Sequence, residues 1–247
     1  MTDSINADRR AMLSAAAATV ATLGTATTLA QTAKEKPLMP ALAAFESQSA
    51  LKPLAFDAAK VNGISERLIR SHWENNYGGS VKALGVVKKH LAEALANKDT
   101  PPFIYNEIKR EHLLRTGSVV FHEYYFDNLG GSGMAGAPER KAIADSFTSF
   151  DTWETEFRRI GAGLGGGSGW VVLGFNMHTR QLENYWLADH AHGPAATMPI
   201  LVMDMYEHAY QMDYGAAAAK YIDAFFKNIQ WEMVASRIES AQRFSKA

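Results

Sequence analysis

The chain has 247 residues, 47% of them hydrophobic and 21% charged, enough for one sizeable globular unit or two small ones. Its formal net charge of -1 excludes the basic footprint of a nucleic-acid-binding protein. There is no cysteine, which removes disulfides, thiolate metal sites and cysteine nucleophiles and leaves His, Asp and Glu as the metal-ligating side chains.

Residues 1–30 differ from the rest. Asp8-Arg9-Arg10-Ala11-Met12-Leu13-Ser14 is a twin-arginine pair followed by a hydrophobic residue, and Ala15 to Ala30 is a charge-free Ala/Thr/Gly stretch. The order of basic region, uncharged region and small-residue exit resembles a bacterial twin-arginine export signal, with cleavage expected after Thr28-Leu29-Ala30 and a periplasmic or otherwise exported product. A tail carrying two chance arginines is the alternative. The stretch is too poor in Leu and Ile for a membrane anchor, so no stable membrane association is expected after cleavage.

Residues 31–56, with Pro37, Pro40 and Pro53, read as an extended lead-in. A helix is expected from Ser65 as N-cap, with Ile64, Leu68, Ile69 and His72 facing inward. Gly78-Gly79 should interrupt it, and a second helix from about Ser80 to Asn97 would pair with the first as a hairpin. Asp99 to Pro102 breaks the chain. A third helix from about Phe103 to Phe126 puts Val119, His122 and Phe126 on one face. Together these make a helical domain over 57–129.

The Gly-rich run Asp127 to Pro138 reads as a linker to a second domain over 139–247. There Glu139 to about Ile160 is expected to be helical, followed by strands Trp170–Asn176, Leu182–Ala188 and Thr197–Met203. From Glu207 to Ala247 the pattern returns to helix, with Tyr221, Phe225, Ile229 and Met233 in one row. The predicted class is α+β: an N-terminal α-helical hairpin domain, then a small three-stranded antiparallel sheet flanked by helices.

The chemistry concentrates at Asp204-Met205-Tyr206-Glu207-His208-Ala209-Tyr210. A helix beginning at Asp204 would put Asp204 and His208 on one face, although a capping Asp beside a hydrogen-bonded core His has the same spacing. With His72 and His122 on buried helix faces, three imidazoles and one carboxylate make a set suited to iron or manganese. Other motifs fail. Gly161-Ala162-Gly163-Leu164-Gly165-Gly166 follows a helix and precedes a strand, the wrong context for a dinucleotide. His122-Glu123 lacks the second His of a zinc protease, and no His has a Glu three residues before it, as a di-iron helix pair requires. His90 and His112 sit among charges, and His178 lies in a turn.

The 204–210 segment resembles the Asp-x-Trp-Glu-His-Ala-Tyr signature of iron/manganese superoxide dismutases, with Tyr206 in place of the Trp, and Phe121-His122-Glu123-Tyr124-Tyr125-Phe126 resembles that family's second ligand helix. The resemblance runs from about Leu54 to Phe244. It implies one iron or manganese ion per subunit held by His72, His122, Asp204 and His208, superoxide as substrate, and disproportionation to dioxygen and hydrogen peroxide. It also implies a homodimer or higher oligomer in which Glu207 reaches the partner's ligand histidine, and it makes His190 the donor to metal-bound solvent, against a plain loop histidine. The family's His-x-x-Tyr-Val is replaced by Asn76-Tyr77-Gly78-Gly79-Ser80-Val81. Asn76 thus stands for a gateway histidine, Ser80 for a gateway tyrosine, and Tyr77 between them completes the altered catalytic set. Gln211 stands where a tyrosine bonds that histidine across the dimer, so an Asn76–Gln211 amide pair is the expected substitute. Phe126, Val172 and Tyr206 thin the usual tryptophan cage. These departures leave an alternative: an exported metal-binding protein of this fold with slow or no turnover.

Overall fold

The computed structural model describes residues 43–45 and 50–244, so the predicted export signal and most of the lead-in lie outside the described residues. Ser65 caps the first helix as expected, its Oγ accepting from Leu68 N. Helix α1 (Glu66–Ser71) runs into a π-helical stretch, His72–Tyr77, and on into α2 (Gly78–Ala96) without a break. The interruption expected at Gly78-Gly79 is therefore absent. Two glycines cost a helix about 2 kcal/mol against alanine, and burial of His72, Tyr77, Ser80 and Val81 on either side outweighs that. The hairpin is formed instead by this continuous helix and α3 (Pro102–Asp127), so it has two long members rather than three. A π stretch shifts side-chain register by one residue and is frequent at functional sites; here it begins at His72.

The single helix expected over 139–160 is two, α4 (Ala137–Phe147) and α5 (Phe150–Leu164). Thr148 adopts φ 69°, and Ser149 Oγ accepts from Thr152 N, starting a new helix with Phe150, Trp153 and Phe157 buried. The Ser149 cap was present in the sequence as a start signal.

Strands β1 (Trp170–Asn176), β2 (Gln181–Leu187) and β3 (Thr197–Asp204) form an antiparallel sheet in the order β2-β1-β3. β1 is central and buried from Trp170 to Phe175, which explains its unbroken apolar run. A bulge shifts register between Leu173, opposite Leu201, and Gly174, opposite Pro199. Pro199 is thereby tolerated in an edge strand. Arg237 Nη1 donates to Ile200 O at the bulge and to Asn128 Oδ1, while Asn128 Nδ2 donates to Val202 O, tying the end of α3 to β3.

The C-terminal helix is also broken. A 3₁₀ turn (Glu207–Ala209) leads to α6 (Gln211–Tyr214), α7 (Ala218–Phe226) and α8 (Trp231–Phe244). Tyr221, Phe225 and Ile229 are fully buried, but Met233 is 36% exposed, because the chain turns at Asn228, whose amide bonds Asn62 and Ala224 O. One core runs from Leu68 and Ile69 through β1 and β3 to Val234. Among the described residues, no helix is long and apolar enough to cross a membrane.

Candidate metal centre

His72, His122, Asp204 and His208 come together from four elements, each offering a ligand atom within 4.8 Å of the others. His72 stands at the start of the π stretch and His122 in α3, both 1% exposed. Asp204 does not begin a helix, as the sequence suggested. It ends β3 opposite Trp170, and the chain then bends so that Tyr206 N donates to Asp204 Oδ1 and the 3₁₀ turn delivers His208. The outcome of the i, i+4 spacing is the same by another route: His208 Nε2 lies 3.1 Å from Asp204 Oδ2.

The contacts around Asp204 Oδ2 suit a cation better than a hydrogen-bond network. His72 Nε2 is 3.1 Å and His122 Nε2 3.7 Å from it. Neither makes an acceptable hydrogen bond, and both are buried without a partner. Buried polar atoms are rarely left so, and several converging on one carboxylate oxygen fit a bound ion. His122 Nδ1 donates to Ser118 O at 2.7 Å, which fixes the tautomer with the Nε2 lone pair facing the others.

Electrostatics agrees. Burial lowers His72 and pushes His122 down to about 3, so the neutral form of both is favoured. Burial would raise Asp204, but His208 and His72 around it hold its carboxyl below the ordinary carboxylate range. Three imidazole nitrogens and one carboxylate oxygen are thus presented to one point, a donor set that fits iron or manganese.

Beneath the site, Tyr221 Oη donates to Asp204 O at 2.7 Å and accepts from Tyr125 Oη at 3.2 Å, all three residues being fully buried. Above it, a cavity of ≈ 420 Å³ is bordered by Asn76, Ser80, Arg115, Ser118, His190 and Tyr206 together with His122 and His208. His190, predicted from its place in the pattern, is there. Its Nδ1 accepts from Trp170 Nε1 at 3.0 Å, so the neutral ring carries its proton on Nε2. Burial lowers its pKa, favouring that neutral form. Tyr206 is stacked on both His190 (4.7 Å, 14°) and His208 (5.2 Å, 15°).

Of the remaining predicted residues, Asn76 and Ser80 border the cavity. Tyr77 does not: its ring packs near His122, and its hydroxyl donates to Glu123 and accepts from Lys52 N. Glu207 is exposed beside His208, and Gln211 is exposed. The sequence reading missed Ser118 and Arg115. Both lie on α3, four and seven residues before His122, so they share its face and were legible from helical periodicity. Ser118 Oγ and Ser80 Oγ are hydrogen-bonded at 2.7 Å in the cavity wall.

Fold and site together define an α+β protein with a helical hairpin and a candidate metal site of three histidines and one aspartate. Residues 136–237 match the model of the C-terminal domain of iron/manganese superoxide dismutases. The chain is 48% identical over 193 residues to a superoxide dismutase [Fe] of Cupriavidus metallidurans, covering 78% of this chain and 98% of that protein. It is 32% identical to a superoxide dismutase [Fe] of Aquifex pyrophilus (82% and 94% covered) and 30% to superoxide dismutase [Mn] 2 of Haloferax volcanii (76% and 94%). The chain belongs to the iron/manganese superoxide dismutase family.

Proposed function

We propose that this protein is a superoxide dismutase, with one iron or manganese ion held by His72, His122, Asp204 and His208. The observation that carries the reading is the convergence of four ligand atoms, three of them on buried residues and two of them histidine nitrogens with no other partner. When bound, the ion would supply one-electron exchange with superoxide in both directions. Asp204 offsets its charge with a carboxylate that its histidine neighbours hold in the ionised form, and Ser118 O keeps His122 in the tautomer that can bind. His190 is the proton-holding group of the cavity. Trp170 occupies its Nδ1, leaving Nε2–H free to hold the solvent molecule through which protons reach the product. Ser80, hydrogen-bonded to Ser118, stands where the family's gateway tyrosine is expected and puts a smaller hydroxyl group at the approach.

We further propose a homodimer in which Glu207 meets the partner's ligand histidine and Asn76 pairs with Gln211. Export through the twin-arginine route, which carries folded proteins, suits a metal centre filled before translocation. His190→Leu tests the catalytic reading. Metal content should be retained while catalysed superoxide decay falls by about a hundredfold or more, in the range expected for loss of a positioned proton donor. Unchanged turnover would favour a site that binds metal without His190-dependent catalysis.

A further inference from the structure

We propose that Gly117 is the positioning residue for His190: only a residue without a side chain lets the loop over 188–193 seat its backbone directly on α3. The inference rests on the proposed role of His190 and adds what holds it in place. A Cβ at Gly117 would lie 1.7 Å from His190 O, 2.9 Å from its carbonyl carbon and 3.5 Å from its Cα. These are backbone atoms, so no rotamer change relieves the clash, and the loop or the helix has to move. A mid-helix glycine costs about 1 kcal/mol against alanine. Its presence five residues before His122 is explained by this approach, not by helix preference.

Beside the Gly117 contact lies a cavity of ≈ 290 Å³ lined by Thr116, Val120, Phe121, Ala191 and Pro194 among others. Within the loop, Asp189 Oδ1 accepts from Ala191 N and contacts His192 Nδ1, both at 2.7 Å, which shapes the turn without tying it to α3. The Trp170 bond and the Tyr206 stack set the direction of the His190 ring. Its distance from His122, 5.9 Å between ring centroids, therefore depends on how closely backbone meets backbone at Gly117.

The test compares metal-loaded wild type, Gly117→Ala, His190→Leu and the double variant. Readouts are metal content, superoxide turnover and hydrogen exchange of the 187–193 peptide. Gly117→Ala should retain metal, exchange faster in that peptide, and lower turnover by the same factor as His190→Leu within about twofold, the double variant losing nothing more. Gly163→Ala, where an added Cβ meets nothing within 4 Å, should leave all three readouts unchanged. Wild-type exchange and turnover in Gly117→Ala, or losses that multiply in the double variant, overturn the proposal. If His190→Leu itself keeps full turnover, the role of His190 fails, and loop exchange alone then decides whether Gly117 seats the loop. Should Gly117→Ala not accumulate, Gly117→Ala with Asp189→Ala frees the loop to move away. It should then accumulate with metal and with the turnover of His190→Leu; failure to do so overturns the proposal.

Discussion

Tyr221→Phe removes one oxygen from beneath the metal centre and leaves the ring volume intact. Two hydrogen bonds go with it, to Asp204 O at 2.7 Å and to Tyr125 Oη at 3.2 Å. Both partners are buried and cannot turn to water. A net hydrogen bond contributes about 1 kcal/mol, and a buried acceptor left without its partner costs about 1–3 kcal/mol, so the expected loss is about 3 kcal/mol. For a folded unit of this size that lowers the melting temperature by about 6–12 °C. The assay is urea unfolding of the metal-free protein at neutral pH, with Tyr125→Phe and the double variant completing a cycle. Tyr125→Phe should cost about 1 kcal/mol, and the double variant less than the sum, because both single changes remove the same bond. A loss below about 0.5 kcal/mol for Tyr221→Phe would refute the claim that Tyr221 pins the ligand-bearing end of β3.

Acid should destabilise the metal-free protein. His122 is neutral in the fold down to about 3, whereas in the unfolded chain it takes a proton below about 6.5, so stability falls as pH drops through that window. The loss is about 2 kcal/mol at pH 5 from His122, with His72 shifted in the same direction; unfolding midpoints at pH 7.5 and 5.0 check it, and equal midpoints contradict it. Trp170→Phe takes the donor from His190 Nδ1 and should lower turnover with metal retained, as measured by superoxide decay beside metal analysis. Asn76→Leu should weaken the proposed dimer by at least tenfold in sedimentation, whereas an exposed remote change such as Lys98→Ala should not.

Much of the centre was legible because its residues stand on periodic elements. His72 and His122 fall on apolar helix faces, and the 204–210 segment carries its own spacing. What the sequence concealed was non-local. Nothing near Gly78-Gly79 reveals that burial of Tyr77 and Val81 carries the helix through two glycines. Asp204 looked like a helix start because the pairing that makes it a strand end is with Trp170, 34 positions earlier. The Ser80–Ser118 bond and the seating of His190 on Gly117 likewise join positions 38 and 73 residues apart, where no local pattern operates. The Ser149 cap, by contrast, was a local signal passed over in favour of one long helix.

The most direct measurement is superoxide decay by pulse radiolysis on protein reconstituted separately with iron and with manganese, with metal quantified per chain on the same samples. About one ion per chain and rapid decay, proportional to protein concentration, are expected with at least one of the two metals. Full metal occupancy with decay no faster than the spontaneous reaction for both metals would contradict the proposed function.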